Sequence, residues 1–99
     1  LSSATTIAVD CSLSSFFEVT LEHDANFVLS NLPTGGTVTF IINQDSSGSQ
    51  TGTFYASDST AVSFANGVST LSTGANETDV VSIFNTGGAL LGTLQKDFK

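Results

Sequence analysis

His23 is the one imidazole in the chain and Cys11 the one thiol. Any nucleophile–base pair or soft-metal site would have to be built around these two. A Ser–His–acid triad needs its imidazole within reach of a hydroxyl and a carboxylate. His23 lies in Leu21-Glu22-His23-Asp24-Ala25, at a strand end entering a turn, where an exposed histidine is the expected reading. No Gly-x-Ser-x-Gly elbow is present to hold a nucleophilic serine above a sheet. Cys11 shares the apolar phase of Val9 and Leu13, which predicts a buried, inert thiol. With no second cysteine it closes no intramolecular disulfide, and one Cys with one His is too few for a zinc site.

The carboxylates are read in the same way. Glycosidases hold two acids across a cleft. Glu18 and Glu22 fall on the polar face of one strand and are expected to point to solvent, while Asp79 follows Glu77 by two residues and shares its face. Asn76-Glu77-Thr78-Asp79 and Asp45-Ser46-Ser47 offer oxygen ligands of the kind Ca²⁺ accepts. Neither has the spaced acidic loop of a dedicated calcium site, so both are read as solvated acidic turns. Asn76-Glu77-Thr78 is also a formal glycosylation sequon. The sequence assigns no catalytic residue, metal ligand or cofactor, and the chain is read as non-enzymatic. One binding candidate remains. Phe54 and Tyr55 are adjacent and face opposite ways in a strand, so one of them could stack on a sugar. There is no Trp to help.

Composition narrows the partners. Of 99 residues only 11% are charged, nine acidic against two basic, with no Arg; an average chain has roughly 25% charged residues. Phosphate-gripping proteins need several cations on one face, so nucleic acid is excluded and anionic membranes are disfavoured. No apolar run approaches the ~18 residues of a membrane span. No secretory leader is visible, and a chain that begins at Leu1 is read as a processed product or a piece of a longer protein. Fifteen Ser and fourteen Thr replace charge as the polar coat. A domain of this size exposes roughly 5,300 Å² when folded, enough burial for one core, and residues 1–99 are read as a single domain.

The elements that must position these residues have a period of two. Ile7, Val9, Cys11 and Leu13 alternate with polar or small residues; so do Phe17, Val19 and Leu21, and Val38, Phe40 and Ile42. Further strands are expected at 27–30, 61–65, 68–71, 79–84 and 89–94. Turn signals separate them: Leu32-Pro33-Thr34-Gly35-Gly36, the Ser/Gly loop 45–50, and Asn85-Thr86-Gly87-Gly88. Asn66-Gly67 between two apolar runs predicts a type I′ hairpin. Phe17, Phe27, Phe40, Phe64 and Phe84 are the expected core aromatics. About eight or nine short strands with no significant helix predict an all-β fold, an antiparallel β-sandwich of jelly-roll type.

The order of segments resembles a β-rich virion module of tailed bacteriophages, found at the C-terminal end of tail fibres and other appendages. The likeness runs over nearly the whole chain. It begins with Ile7-Ala8-Val9-Asp10 and Phe17-Glu18-Val19-Thr20-Leu21. It is strongest at Phe27-Val28-Leu29-Ser30-Asn31-Leu32-Pro33-Thr34-Gly35-Gly36. It continues through Phe40-Ile41-Ile42-Asn43-Gln44-Asp45, Leu71-Ser72-Thr73, Thr78-Asp79-Val80-Val81, Phe84-Asn85-Thr86-Gly87-Gly88 and Lys96-Asp97-Phe98. Phe54 and Phe64 stand where the family often carries Trp, and Leu90-Leu91 replace its last aromatic pair. The resemblance implies a structural protein on the particle exterior, as an appendage module or a capsid decoration (cement) protein, contacting other virion proteins. It supplies no catalytic residue. A glycan-binding, receptor-recognising module is the alternative, with a host-surface glycan as partner.

Open strand edges recruit other chains, and Lys is a usual guard. Lys is missing here until residue 96, so the edges are expected to be covered by loops or by copies of the chain, as in a homotrimer. With few ion pairs to form, such contacts should be apolar, hydroxyl-rich and weakly sensitive to salt.

Overall fold

The computed structural model describes residues 3–67 and 69–98. Among them are eight strands: β1 Thr6–Asp10, β2 Phe16–Leu21, β3 Ala25–Ser30, β4 Thr37–Gln44, β5 Gly52–Ala56, β6 Ser63–Phe64, β7 Thr78–Asn85 and β8 Leu90–Phe98. One 3₁₀ turn, Ala65–Gly67, is the sole helical element among the described residues. The strands form a three-stranded sheet, β1-β3-β5, and a five-stranded sheet, β2-β4-β7-β8-β6. The accessible surface is 5175 Å², close to the size-scaling value.

Alternation and turn spacing lead to an expectation of antiparallel pairing. Much of the pairing is instead parallel. β1, β3 and β5 all run the same way, β2 runs parallel to β4, and β6 to β8; only β4–β7 and β7–β8 are antiparallel. The cause lies in the connections. From β1 to β5 the chain lays alternate strands in alternate sheets, crossing the ~10 Å between facing sheets at each turn. Each return to a sheet therefore repeats the earlier direction. Period-two patterning reports which side of a strand is buried; it carries nothing about the neighbour.

Both sheets share one core. Val19 and Leu21 of β2, Val38, Phe40 and Ile42 of β4, and Val81 and Ile83 of β7 face Ile7 and Val9 of β1, Phe27 and Leu29 of β3, and Phe54 of β5. Phenylalanines sit at its centre. Phe27 and Phe54, register partners in the small sheet, stack at 4.5 Å with planes 9° apart. Phe17 and Phe40, partners in the large sheet, stack at 5.8 Å. The pairs meet edge-on: Phe40 lies 5.8 Å from Phe27 and 5.3 Å from Phe54. Phe64 packs 6.0 Å from Phe54 and closes the row.

Three sequence expectations change. Phe84 is 42% exposed, because Asp79, Val81 and Ile83 take the inward phase of β7, whereas Phe54 is 2% exposed and takes its place in the core. Leu13 is 79% exposed: β1 ends at Asp10, whose carboxylate accepts from the N–H and hydroxyl of Ser12 at 3.0 and 2.6 Å and turns the chain away. The Asn66-Gly67 hairpin does not form. β6 pairs in parallel with β8, the 3₁₀ turn follows, and residues 69–73 are not a strand; Val68, the expected start of that strand, is outside the described residues.

Residues 60–64 instead seal one side of both sheets. The Ala56 N–H donates to the Thr60 carbonyl and the Val62 N–H to the Phe54 carbonyl, covering the edge of β5. Ser63 and Phe64 then cover β8 at Leu91 and Gly92. Gly92 is required there, since a Cβ would lie 2.9 Å from the Phe64 ring.

The core assignment has a direct test. Phe40→Ala is expected to destabilise the fold by about 3–5 kcal/mol and Phe84→Ala by less than about 1 kcal/mol, as measured by denaturant unfolding. Equal losses would show that the inward phase of β7 is wrongly placed.

Candidate functional site

The residues singled out for chemistry are dispersed. His23 is exposed, with its Nδ1 3.0 Å from the Ser3 hydroxyl. That hydroxyl oxygen also accepts the Glu22 N–H at 2.9 Å. The contact ties the N-terminal segment to the β2–β3 turn, and neither residue lines the recess or groove described below. Cys11 is buried. Burial, then the neighbouring Asp10 charge, raises its pKa, so the thiol stays protonated and unreactive at neutral pH.

The two acidic loops come together. The Ser49 N–H donates to the Thr73 carbonyl at 2.7 Å and the Asn76 N–H to the Asp45 carbonyl at 3.0 Å. Their carboxylates are used on backbone donors: Asp45 Oδ1 accepts from Ser47 and Gly48, and Glu77 Oε1 from Gly74. Among the described residues no three His, Cys, Asp or Glu side chains gather as a metal site would need. Gly48 has φ +69°, and a Cβ there would meet the Thr73 carbonyl oxygen at 2.6 Å, so the loops approach this closely only with glycine.

Beneath these loops lies a buried polar pair: Gln44, which the sequence left as an ordinary strand residue, and Asp79, which was read into a solvated acidic turn and is instead buried in β7. Gln44 is 4% exposed and Asp79 2%. The Gln44 amide donates to the carbonyls of Gln50 (2.7 Å) and Ser72 (2.9 Å), and its oxygen accepts the Gln50 N–H. Asp79 Oδ2 accepts the Ser72 N–H at 2.6 Å. Both backbone groups of Ser72 are thus held by side chains, and the adjacent Leu71 plugs the core at 4% exposure. These are supports for loops rather than reactive groups. The only sequence-level signal was a Gln and an Asp on the apolar phase of their strands.

The glycan-stacking candidates separate. Phe54 is sandwiched among Phe27, Phe40 and Phe64 and offers no face to a ligand. Tyr55 is half-buried on the outer side of the small sheet, beside Val28.

Two surface features carry more. The first is the outer face of the large sheet. Register sets out its rows: Thr37-Phe84-Leu91-Ser63, Phe16-Thr39-Ser82-Thr93, Glu18-Ile41-Val80-Gln95 and Thr20-Asn43-Thr78-Phe98. Among these sixteen positions six are apolar, seven carry hydroxyls, and Glu18 is the one charge, its Oε2 accepting from Asn43 at 3.0 Å. Phe16, Leu91 and Phe98 are each about half exposed. At one margin Phe64, Phe84, Leu91 and Gly92 line an open groove of about 420 Å³. The second feature is a recess of about 240 Å³ at one end of the sandwich, where loops 30–32, 56–61 and 85–90 converge.

No family model matches the chain, and no curated protein or solved structure is significantly similar to it.

Folding lowers the pKa of two carboxylates, half-buried Asp10 and exposed Asp58. The pKa of Asp10 is lowered by its bonds from the Ser12 hydroxyl, the Asn31 amide and the Ser12 N–H, and that of Asp58 by its bonds from Thr60. Groups lowered by folding add stability above the unfolded-chain value of about 3.9 and lose it as pH falls through the lower folded value. Asp10→Asn is therefore expected to lower Tm at neutral pH, and the gap from the parent should close below about pH 3.9. A gap that persists in strong acid would refute the assigned bonds.

Proposed function

We propose that the chain is a non-enzymatic structural module of a phage virion, exposed on the particle exterior and assembled through copies of itself. Its placement is either in a tail fibre or similar appendage or as a capsid decoration protein. The segment order noted in the sequence supports the virion setting. The observation that carries the assembly reading is the sparsely charged outer face of the large sheet.

Charge selects a second copy as the occupant. The chain has a formal net charge of −7, so two copies repel wherever their acids meet. The rows of hydroxyls and apolar side chains leave one charge, Glu18, among their sixteen positions, so two copies can close on them while bringing few carboxylates together. Four full strands about 4.8 Å apart, some seven residues long at ~3.4 Å each, project to roughly 500 Å². Side-chain relief raises the accessible area of the whole face toward ~800 Å², which a threefold arrangement divides between two neighbours.

A homotrimer needs a heterologous contact, in which one patch meets a different one. The face supplies both halves. Phe16, at the β2 margin, is a projecting ring, and the Phe64–Phe84–Leu91 groove at the other margin is a receptor for it. The ring of one copy seats in the groove of the next around a threefold axis. The paired-sheet sandwich is the scaffold; its resemblance to a jelly roll lies in the two facing sheets and stops at the parallel pairing.

Light scattering of the purified chain is expected to give the trimer mass, unchanged by moderate salt because few ion pairs contribute. Phe16→Glu and Leu91→Glu should each give monomers with the parent's circular dichroism. A monomeric parent, or dissociation by moderate salt, would refute this contact. Copies per virion then separate decoration protein from appendage.

A further inference from the structure

We infer that the recess at the end of the sandwich binds a single neutral pyranose ring, as found at the tip of a glycan. This goes beyond the assembly role and does not rest on it. The recess is about 240 Å³, below the ~300–1,000 Å³ of drug-sized sites and suited to one sugar ring.

Three separate segments build it, and their roles differ. Leu29, Leu32 and Leu90 form an aliphatic floor that is continuous with the core. The rim carries Asn31, Asp58 and Asn85. Each rim group is fixed. Asn31 has φ +60° and its amide nitrogen donates to Asp10 Oδ1 at 3.0 Å. Asn85 donates to the Leu32 carbonyl at 2.6 Å and accepts the Gly87 N–H at 2.8 Å. Asp58 Oδ1 accepts the Thr60 N–H at 3.0 Å. A carboxylate has about four lone-pair sites, so Asp58 keeps acceptor capacity for ligand hydroxyls. An amide oxygen on Asn31 and the Thr60 hydroxyl add to it.

The ligand class follows from what this set offers. An apolar floor under a hydrogen-bonding rim matches a pyranose, which has a C–H face and a ring of hydroxyls. No lysine or arginine lines the recess, so an anionic sugar meets Asp58 with nothing to balance it. No aromatic ring lines it either, so a flat heteroaromatic ligand has no stacking partner. Gly88 is among the lining residues. Gly88 has nothing within 4 Å of where a Cβ would stand and is not at positive φ, so a larger side chain there would project into open space without straining the backbone.

The test is an amide-resolved NMR titration of the whole chain with four neutral probes: methyl α-glucopyranoside, methyl β-galactopyranoside, methyl α-mannopyranoside and N-acetylglucosamine. At least one should give saturable shifts at Asn31, Asp58 and Gly87, with a millimolar dissociation constant as befits so small a ligand. Asp58→Asn should weaken it about tenfold, the factor lost with a hydrogen bond to a charged group, and Gly88→Leu should abolish it. N-acetylneuraminic acid should give no shifts there. The inference is overturned if none of the four probes moves these amides or if the shifts cluster at Tyr55. It is equally overturned if lysine methyl ester saturates the site and the sugars do not, or if neither variant changes binding. The spectra of the free variants, matching the parent away from the recess, separate lost binding from lost fold. The Leu91→Glu chain should bind the sugar as the parent does, so failure of the assembly reading leaves this result readable.

Discussion

The contact between Phe40 and the Phe27–Phe54 stack holds the two sheets together, and most of the structure follows from it. Each sheet contributes two phenylalanines in register, so parallel neighbours ~4.8 Å apart place their rings side by side. Rings stacked within a sheet then present edges and faces to the other sheet, the arrangement that aromatic pairs favour. Four rings at one level fill the space between sheets with few small gaps. The levels above and below need only Val, Leu and Ile. Towards one end the filling thins: Gly52 pairs with Ala25, and the vacant volume is taken by Leu71, whose Cδ1 lies 2.8 Å from where a Gly52 Cβ would stand.

Leu71 comes from a segment with no strand partner, which sets a second requirement. An irregular segment driven into a core carries backbone groups that must be satisfied there. Gln44 and Asp79 do this for Ser72 and Gln50. Burying two polar side chains is costly unless their bonds are complete, and here they replace the ladder that a strand would have supplied. The same logic explains residues 60–64, which bond first to β5 and then to β8 and so remove one open edge from each sheet. The opposite side, with β1 and β2 at the ends of their sheets, has no such strip among the described strands.

What the sequence showed and hid can be traced to these particulars. Alternation located β1, β2 and β4, and with them Phe40, because one buried face leaves a local imprint; turn signals bracketed β3, β7 and β8. Phe54 and Phe84 exchanged roles because each has an apolar neighbour of similar pattern, Tyr55 and Ile83, so the phase could be read either way. Asn66-Gly67 misled for a related reason: its positive φ was real at Gly67 (+70°), but a 3₁₀ turn uses such a residue as readily as a hairpin does. Pairing direction left no local trace, since it was decided by turns that cross between sheets. The recess was invisible for the same reason, being made of three loops distant in sequence. The sparsely charged face was legible in part: the composition showed few charges and many hydroxyls, and register was needed to place them on one sheet.

The scarcity of charge takes its physical meaning from that face. Lys and Glu side chains lose about 1.5–2 kcal/mol of rotamer entropy when immobilised and must shed tightly held water. Ser and Thr lose less and bring a hydroxyl that bonds across a contact as well as to solvent. A sheet face of Thr, Ser and half-exposed Phe is therefore inexpensive to cover and costly to leave bare, whereas the acids at Asp10, Asp24, Asp45 and Asp58 are fixed at loop ends by backbone or side-chain donors. The carboxylates act locally in turns, where they satisfy N–H groups. The distribution separates two settings: carboxylates fixed in loops, and a large-sheet face whose register rows carry one charge in a chain of net charge −7.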